Sequence, residues 1–197
     1  MDSHIVTIPN ALSFTVCQNL IDAFEKSIDL QSPGMAGGFQ GTVAEMPHIK
    51  KSTDIRIDQS FLNNELWGQP IQETIKVLNQ GIEEYKKQYP FVNTLAPWTL
   101  DLQWNVQRYL PGEGFKKWHC ETNSKRYNHR VLAWMIYLNT VTDGGGTEFA
   151  HGNETASAEE GKLVIWPGAF THFHRGIVSP TETKYIATGW YIFYTDD

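Results

Sequence analysis

Three side chains able to bind a metal, and one lysine, carry the chemistry this sequence can do. His119 and Glu121 stand two apart in Trp118-His119-Cys120-Glu121. In a β-type run such residues project to the same side, so an imidazole and a carboxylate face one spot. Downstream, Thr171-His172-Phe173-His174-Arg175-Gly176 offers a second imidazole. Two imidazoles and a carboxylate with adjacent positions left open form the facial triad of non-haem iron(II) sites. Zinc accepts the same donors, so the triad alone does not name the metal. His172 and His174 are themselves two apart, and alternation leaves open which of them is the ligand. Lys184 follows ten positions past His174, where a cation could hold the distal carboxylate of a cosubstrate such as 2-oxoglutarate, which tips the choice toward iron.

Positioning these residues requires a barrel or sandwich of short strands. From about Leu100 the apolar pattern has period two: Leu102-Trp104-Val106, Val131-Ala133-Met135-Tyr137, Leu163-Ile165, then Tyr185-Ala187 leading to Trp190-Ile192-Tyr194. Pro111-Gly112, Gly144-Gly145-Gly146, Pro167-Gly168 and Ser179-Pro180 separate them as turns, the signature of an antiparallel sandwich or barrel. Before residue 100 the elements differ. Ile5-Val6-Thr7-Ile8 predicts a strand, and Ser13 caps a helix carrying Cys17, Leu20, Ile21, Phe24 and Ile28. Residues 31 to 47, rich in glycine and proline, predict a loop that could order over substrate. His48 to Ile57 returns as a strand. Leu66, Trp67, Ile71, Ile75, Leu78, Ile82 and Tyr85 form a helical stripe, with an interruption expected near Gly68-Gln69-Pro70.

At 197 residues with 41% hydrophobic and 13% aromatic content, the chain can bury a core and is neither disordered nor fibrous. A single unit over 1–197 is expected, with 1–99 as helical support and substrate loop and 100–197 as the barrel. A net charge of −6 argues against a protein that grips nucleic acid with its whole surface. Lys116, Lys117, Lys125, Arg126, His129 and Arg130 cluster around the first ligands; such runs are usually a solvated face, and they could also give a pocket a positive mouth. Two cysteines, Cys17 and Cys120, make no disulfide framework. No apolar run approaches the length of a membrane span, and the N-terminus lacks the pattern of a secretory signal, so a cytoplasmic setting is expected.

Residues 100 to 194 resemble the catalytic barrel of the Fe(II)- and 2-oxoglutarate-dependent dioxygenases, most closely the prolyl 4-hydroxylase branch. The family's His-x-Asp/Glu, distal His and following Lys match His119, Glu121, His174 and Lys184. Gln107-x-Tyr109, Gly145-Gly146-Thr147-Glu148-Phe149 and His174-Arg175-Gly176 agree as well, and Ile49-Lys50-Lys51-Ser52 extends a looser likeness to the first half. The chain departs at Glu121, where many members carry the shorter aspartate.

The resemblance implies a mainly β, α+β fold: a double-stranded β-helix, or jelly-roll, barrel of cupin-like kind supported by N-terminal helices. It implies Fe(II), 2-oxoglutarate and O2 as cofactors, with ascorbate as a stimulant, and hydroxylation coupled to decarboxylation of 2-oxoglutarate to succinate and CO2. The metal and catalytic residues would be His119, Glu121 and His174. Lys184 and Tyr109 would bind the cosubstrate, and Arg175 and Trp190 would face substrate. The expected partner is a peptide or protein containing proline, hydroxylated at C4, with no membrane or nucleic-acid partner, on a monomer or weak dimer. Oxidation of a free amino acid or other small molecule is the alternative within enzymes; a non-catalytic binding barrel is the alternative outside them.

Overall fold

Ser13, in extended conformation, accepts a hydrogen bond from the Val16 amide at 3.4 Å and starts helix α1, Phe14–Lys26, a cap worth about 1 kcal/mol. Cys17, Leu20 and Phe24 are its buried face. Ile28, expected on that stripe, lies beyond the helix in a short 3-10 turn and is 72% exposed, because the helical period ends at Lys26. Helix α2, Gly68–Gln88, buries Ile71, Leu78, Ile82 and Tyr85. No interruption occurs at Pro70, which falls in the first turn, where a missing N–H breaks no intrahelical bond; Leu66 lies outside the helix and is exposed.

The computed structural model describes residues 3–37, 43–152 and 154–194. Its principal sheet is antiparallel throughout, in the order Val6–Ile8, Leu163–Pro167, Arg130–Tyr137, Lys184–Phe193, Trp104–Tyr109, Thr53–Ile57 and Ser32–Pro33, with Trp98–Leu100 also pairing Lys184–Phe193. A smaller sheet runs Thr155–Ala156, Thr147–Phe149 and His174–Gly176. Strand alternation divides the core in two. Leu132, Trp134 and Ile136 pack with Trp104, Val106 and residues of both helices. Ala133, Met135 and Tyr137 point the other way, to Tyr109, Val164, Trp166 and Ile186 and to Phe149 and Ala156 of the small sheet. With both faces covered, the central strand is apolar at every position from Leu132 to Tyr137, and truncating a fully buried tryptophan such as Trp134 would cost about 3–5 kcal/mol.

Residues 31 to 47 are not the plain loop that their composition suggests. Ser32–Pro33 joins the principal sheet, and Met35–Gly37 pairs with Val43–Glu45; residues 38–42 lie outside the described part. Gly34 serves close approach: a Cβ there would sit 2.0 Å from Ser52 Oγ. The strand expected from His48 to Ile57 is two strands, Lys50–Lys51 paired with Gly114–Phe115 and Thr53–Ile57 in the principal sheet. No described helix is long and apolar enough to cross a membrane.

Candidate metal and cosubstrate site

His119 and His174 meet backbone to backbone. His119 N donates to His174 O at 3.0 Å and His174 N to His119 O at 2.9 Å, an isolated antiparallel bridge. The Trp118–Glu121 run, expected as a strand, is this one bridge within irregular chain. The reason is that the next amides, Glu121 N and Thr122 N, both turn to Gly168 O at 3.0 Å instead of extending the ladder. The extended path up to Glu121 still places the His119 and Glu121 side chains together, and the ligand atoms of His119, Glu121 and His174 all lie within 4.8 Å of one another.

Both imidazoles are held by their Nδ1 atoms, His119 against Lys117 O and His174 against His172 O, each at 2.9 Å. A carbonyl oxygen only accepts, so each Nδ1 carries the proton and each Nε2 is left to the centre. Phe115 stacks on His119 with centroids 3.7 Å apart, and Trp166 meets His174 edge-on at 5.0 Å. Burial, with His174 alongside, holds His119 down to about 3, so it is neutral at pH 7. Burial acts to raise Glu121, but the hydrogen bond and charge of His174, with His119 and Arg130 beside it, outweigh burial and hold the carboxyl at about 2. Two imidazoles with converging Nε2 atoms and one ionised carboxylate fit an iron(II) facial triad, and backbone carbonyls on the far ring nitrogens fix their orientation.

His172 is elsewhere. It sits in the short 3-10 turn Phe170–His172, where strand alternation does not apply. Its Nε2 lies 2.8 Å from Ser3 O and its Nδ1 2.9 Å from Thr171 Oγ1, so both ring nitrogens are engaged. Of the two downstream histidines, His174 is the one in the cluster.

Lys184 opens the last strand and is directly opposite Tyr109 in register. Its ammonium is buried, 2.9 Å from Gly145 O and 4.9 Å from the centre of the Tyr109 ring. Gly145 takes a positive φ of 74°, which favours glycine and aims its carbonyl at the amine. A Cβ on Gly176, two residues past His174, would come 3.7 Å from Lys184 Nζ, so the amine lies beside the strand of the distal histidine. Among the described residues no carboxylate pairs with Lys184, and burial lowers it to about 8. A buried ammonium without a counterion is a site prepared for an anion.

Tyr109 donates to Gln107 Oε1 at 2.7 Å, and Gln107 Nε2 donates to Asp54 Oδ2 at 3.0 Å. Asp54 also accepts from Lys50 at 2.6 Å and Ser52 at 2.7 Å. Lys50, Ser52 and Asp54 stand two apart and so face one side of an extended run, the signal by which this network could have been found in the sequence. Arg175 reaches Glu148, its partner in strand register, and lies over Trp118 at 4.6 Å. Trp190 turns to the metal cluster: its Nε1 donates to Glu121 Oε2 at 2.6 Å. Lys116, Lys117, Lys125 and Arg126 are exposed, whereas Arg130, grouped with them by sequence, turns inward and donates to Glu121 Oε2 at 3.2 Å. Its place at the head of a strand of buried apolar residues was the available clue.

Residues 104–192, the segment holding His119, Glu121, His174 and Lys184, match the model of the 2OG-Fe(II) oxygenase superfamily. Fe(II), 2-oxoglutarate and O2 are the cofactors the superfamily requires. No curated protein matches by sequence. Among solved structures, a prolyl-4-hydroxylase from Pseudomonas putida is similar over 98% of this chain and 94% of its own, with TM-score 0.70 and 15% identity. A viral collagen prolyl hydroxylase from Paramecium Bursaria Chlorella virus-1, in a 2OG complex, is similar over 97% of each chain, with TM-score 0.69 and 16% identity. A prolyl hydroxylase from Trichoplax adhaerens, in complex with a hypoxia inducible factor oxygen degradation domain peptide fragment, covers 96% of this chain and 84% of its own, with TM-score 0.70 and 16% identity. The mainly β fold, with its large and small sheets, is the double-stranded β-helix of these proteins.

Proposed function

We propose that the protein is an Fe(II)- and 2-oxoglutarate-dependent hydroxylase acting on a prolyl residue of a peptide or protein at C4. The observation that carries the metal-dependent part is the convergence of His119 Nε2, His174 Nε2 and the Glu121 carboxylate, with a buried ammonium at Lys184 that no carboxylate among the described residues meets. His119, Glu121 and His174 would hold the metal. Bound iron, with 2-oxoglutarate and O2, supplies oxidation of a C–H bond to C–OH as the keto acid becomes succinate and CO2. Lys184 would bind the distal carboxylate by a charge-assisted hydrogen bond, stronger in a water-poor barrel than at a surface. Tyr109, opposite Lys184, would add a hydroxyl contact. Phe115, Trp166 and Phe149 line the histidines with apolar surface and keep water from the reacting centre.

The peptide reading rests on the likeness to prolyl hydroxylases, one of them solved with a peptide fragment. It is also supported by the approach of the Met35–Gly37 strand to the segment after Glu121, where a Cβ on Gly37 would lie 3.7 Å from Asn123 Nδ2. These two segments are suited to grip an extended chain. The test is incubation with a panel of proline-rich peptides, reading both succinate and peptide mass. A gain of one oxygen on proline supports the reading. Succinate release that is stimulated only by small molecules, with no peptide gaining oxygen, overturns the peptide part and leaves the oxygenase part standing.

A further inference from the structure

Glutamate in the ligand position raises a specific problem. A carboxylate can bind a metal through one oxygen or two, and the extra methylene lets the group swing to present both. A second oxygen on the metal would fill a position that the keto acid or O2 needs, since a facial triad works through its open positions.

The structure disposes the two oxygens of Glu121 differently. Oε2 receives Trp190 Nε1 at 2.6 Å and Arg130 Nη1 at 3.2 Å. Each carboxylate oxygen has about two lone-pair sites, so two donors occupy Oε2. Oε1 faces His174 Nε2 at 3.4 Å and is the oxygen on the metal side. The donors are themselves fixed. Arg130 lies between two rings, 3.5 Å from the centre of Trp190 and 4.2 Å from that of Tyr127. Trp190 is set in the sheet opposite Ala133. The Glu121 and Arg130 side chains are 12% and 15% exposed, so little water competes for these bonds.

We propose that Trp190 and Arg130 are positioning residues that force Glu121 to bind the metal through Oε1 alone, so that this chain keeps an open coordination position despite its longer carboxylate. Trp190, expected from the resemblance to face substrate, then acts through Glu121. The inference rests on the proposed metal-dependent function.

The test reads metal-bound water, without turnover. Mn(II) is loaded anaerobically and exchangeable water on the metal is counted by water-proton relaxation, in the wild type, Trp190→Phe and Arg130→Gln. Trp190→Phe keeps an aromatic ring for Arg130 to stack on and removes the N–H together with part of the indole ring. With three protein ligands on a six-coordinate ion, the wild type should show about three waters. Each variant should lose about one as Oε2 moves onto the metal, with Mn(II) held at least as tightly. Calorimetry should then show 2-oxoglutarate binding the Mn(II)-loaded variants about tenfold or more weakly, the size of effect that outer partners of metal ligands have. Unchanged water in variants that bind Mn(II) like the wild type overturns the proposal, as does weaker Mn(II) binding with no loss of water. If one variant fails to fold, the other decides. A wild type that binds no Mn(II), or binds it equally well as His174→Ala, overturns the proposed function instead.

Discussion

Replacing Lys184 by methionine should separate cosubstrate binding from metal binding and from stability. Burial lowers Lys184 from 10.5 to about 8, which at about 1.4 kcal/mol per pH unit puts the penalty on its buried charge at about 3 kcal/mol. An anion that meets the ammonium makes a charge-assisted hydrogen bond worth about 1.5–3 kcal/mol. Lys184→Met should therefore weaken 2-oxoglutarate binding by about 10- to 150-fold, while affinity for Mn(II), held by other side chains, changes by less than about threefold. The folded protein should behave in the opposite sense. Because the folded pKa lies below the unfolded one, the penalty is fully present below about pH 8 and is relieved as pH rises toward 10.5. At pH 7 the methionine variant should be the more stable in urea unfolding by about 2 kcal/mol, allowing about 1 for the lost bond to Gly145, with the gap closing across that window. Equal losses of metal and cosubstrate affinity, or a variant destabilised at pH 7, would show that the lysine is structural and refute the reasoning.

Three further outcomes are expected. In the wild type, 2-oxoglutarate should bind more weakly as pH rises above about 8 and should take up protons there, read by calorimetry in buffers of different ionisation enthalpy; affinity flat to pH 10 would contradict this. His174→Ala should abolish metal uptake, whereas His172→Ala, which loses contacts to Ser3 and Thr171, should keep it at a stability cost of about 1 kcal/mol. Asp54→Ala strands the buried Lys50 ammonium and should cost about 3–5 kcal/mol in urea unfolding, with Lys50→Met in the same chain restoring much of it; no recovery in the double variant would mean the ion pair is not what Asp54 supports.

What was legible in the sequence follows from how local its causes are. The cap at Ser13 and the central stripes of both helices act within a few residues and read directly, whereas their ends at Ile28 and Leu66 and the interruption expected at Pro70 did not. The i, i+2 placement of His119 and Glu121 also survives, although the strand that suggested it shrinks to one bridge, because an extended path of three residues is enough to align two side chains. The choice between His172 and His174 was beyond spacing, since it depends on a 3-10 turn and on Ser3, far away in the chain. In the described part of the glycine-rich segment, composition hid short strands, and glycine at position 34 serves the close passage of Ser52, a long-range contact. Arg130 and Trp190 hide for the same reason: a sheet buried on both faces reads as apolar, and the partner that turns them inward, Glu121, arrives from another part of the chain.

The central claim, a metal site that exists to engage a keto acid, meets its most direct test in one anaerobic titration. 2-Oxoglutarate is titrated by calorimetry into the metal-free protein, the Mn(II)-loaded protein and Mn(II)-treated His174→Ala. Tight binding is expected with metal in the wild type and in neither of the other two. Binding of equal strength in all three, or in none, would contradict the account.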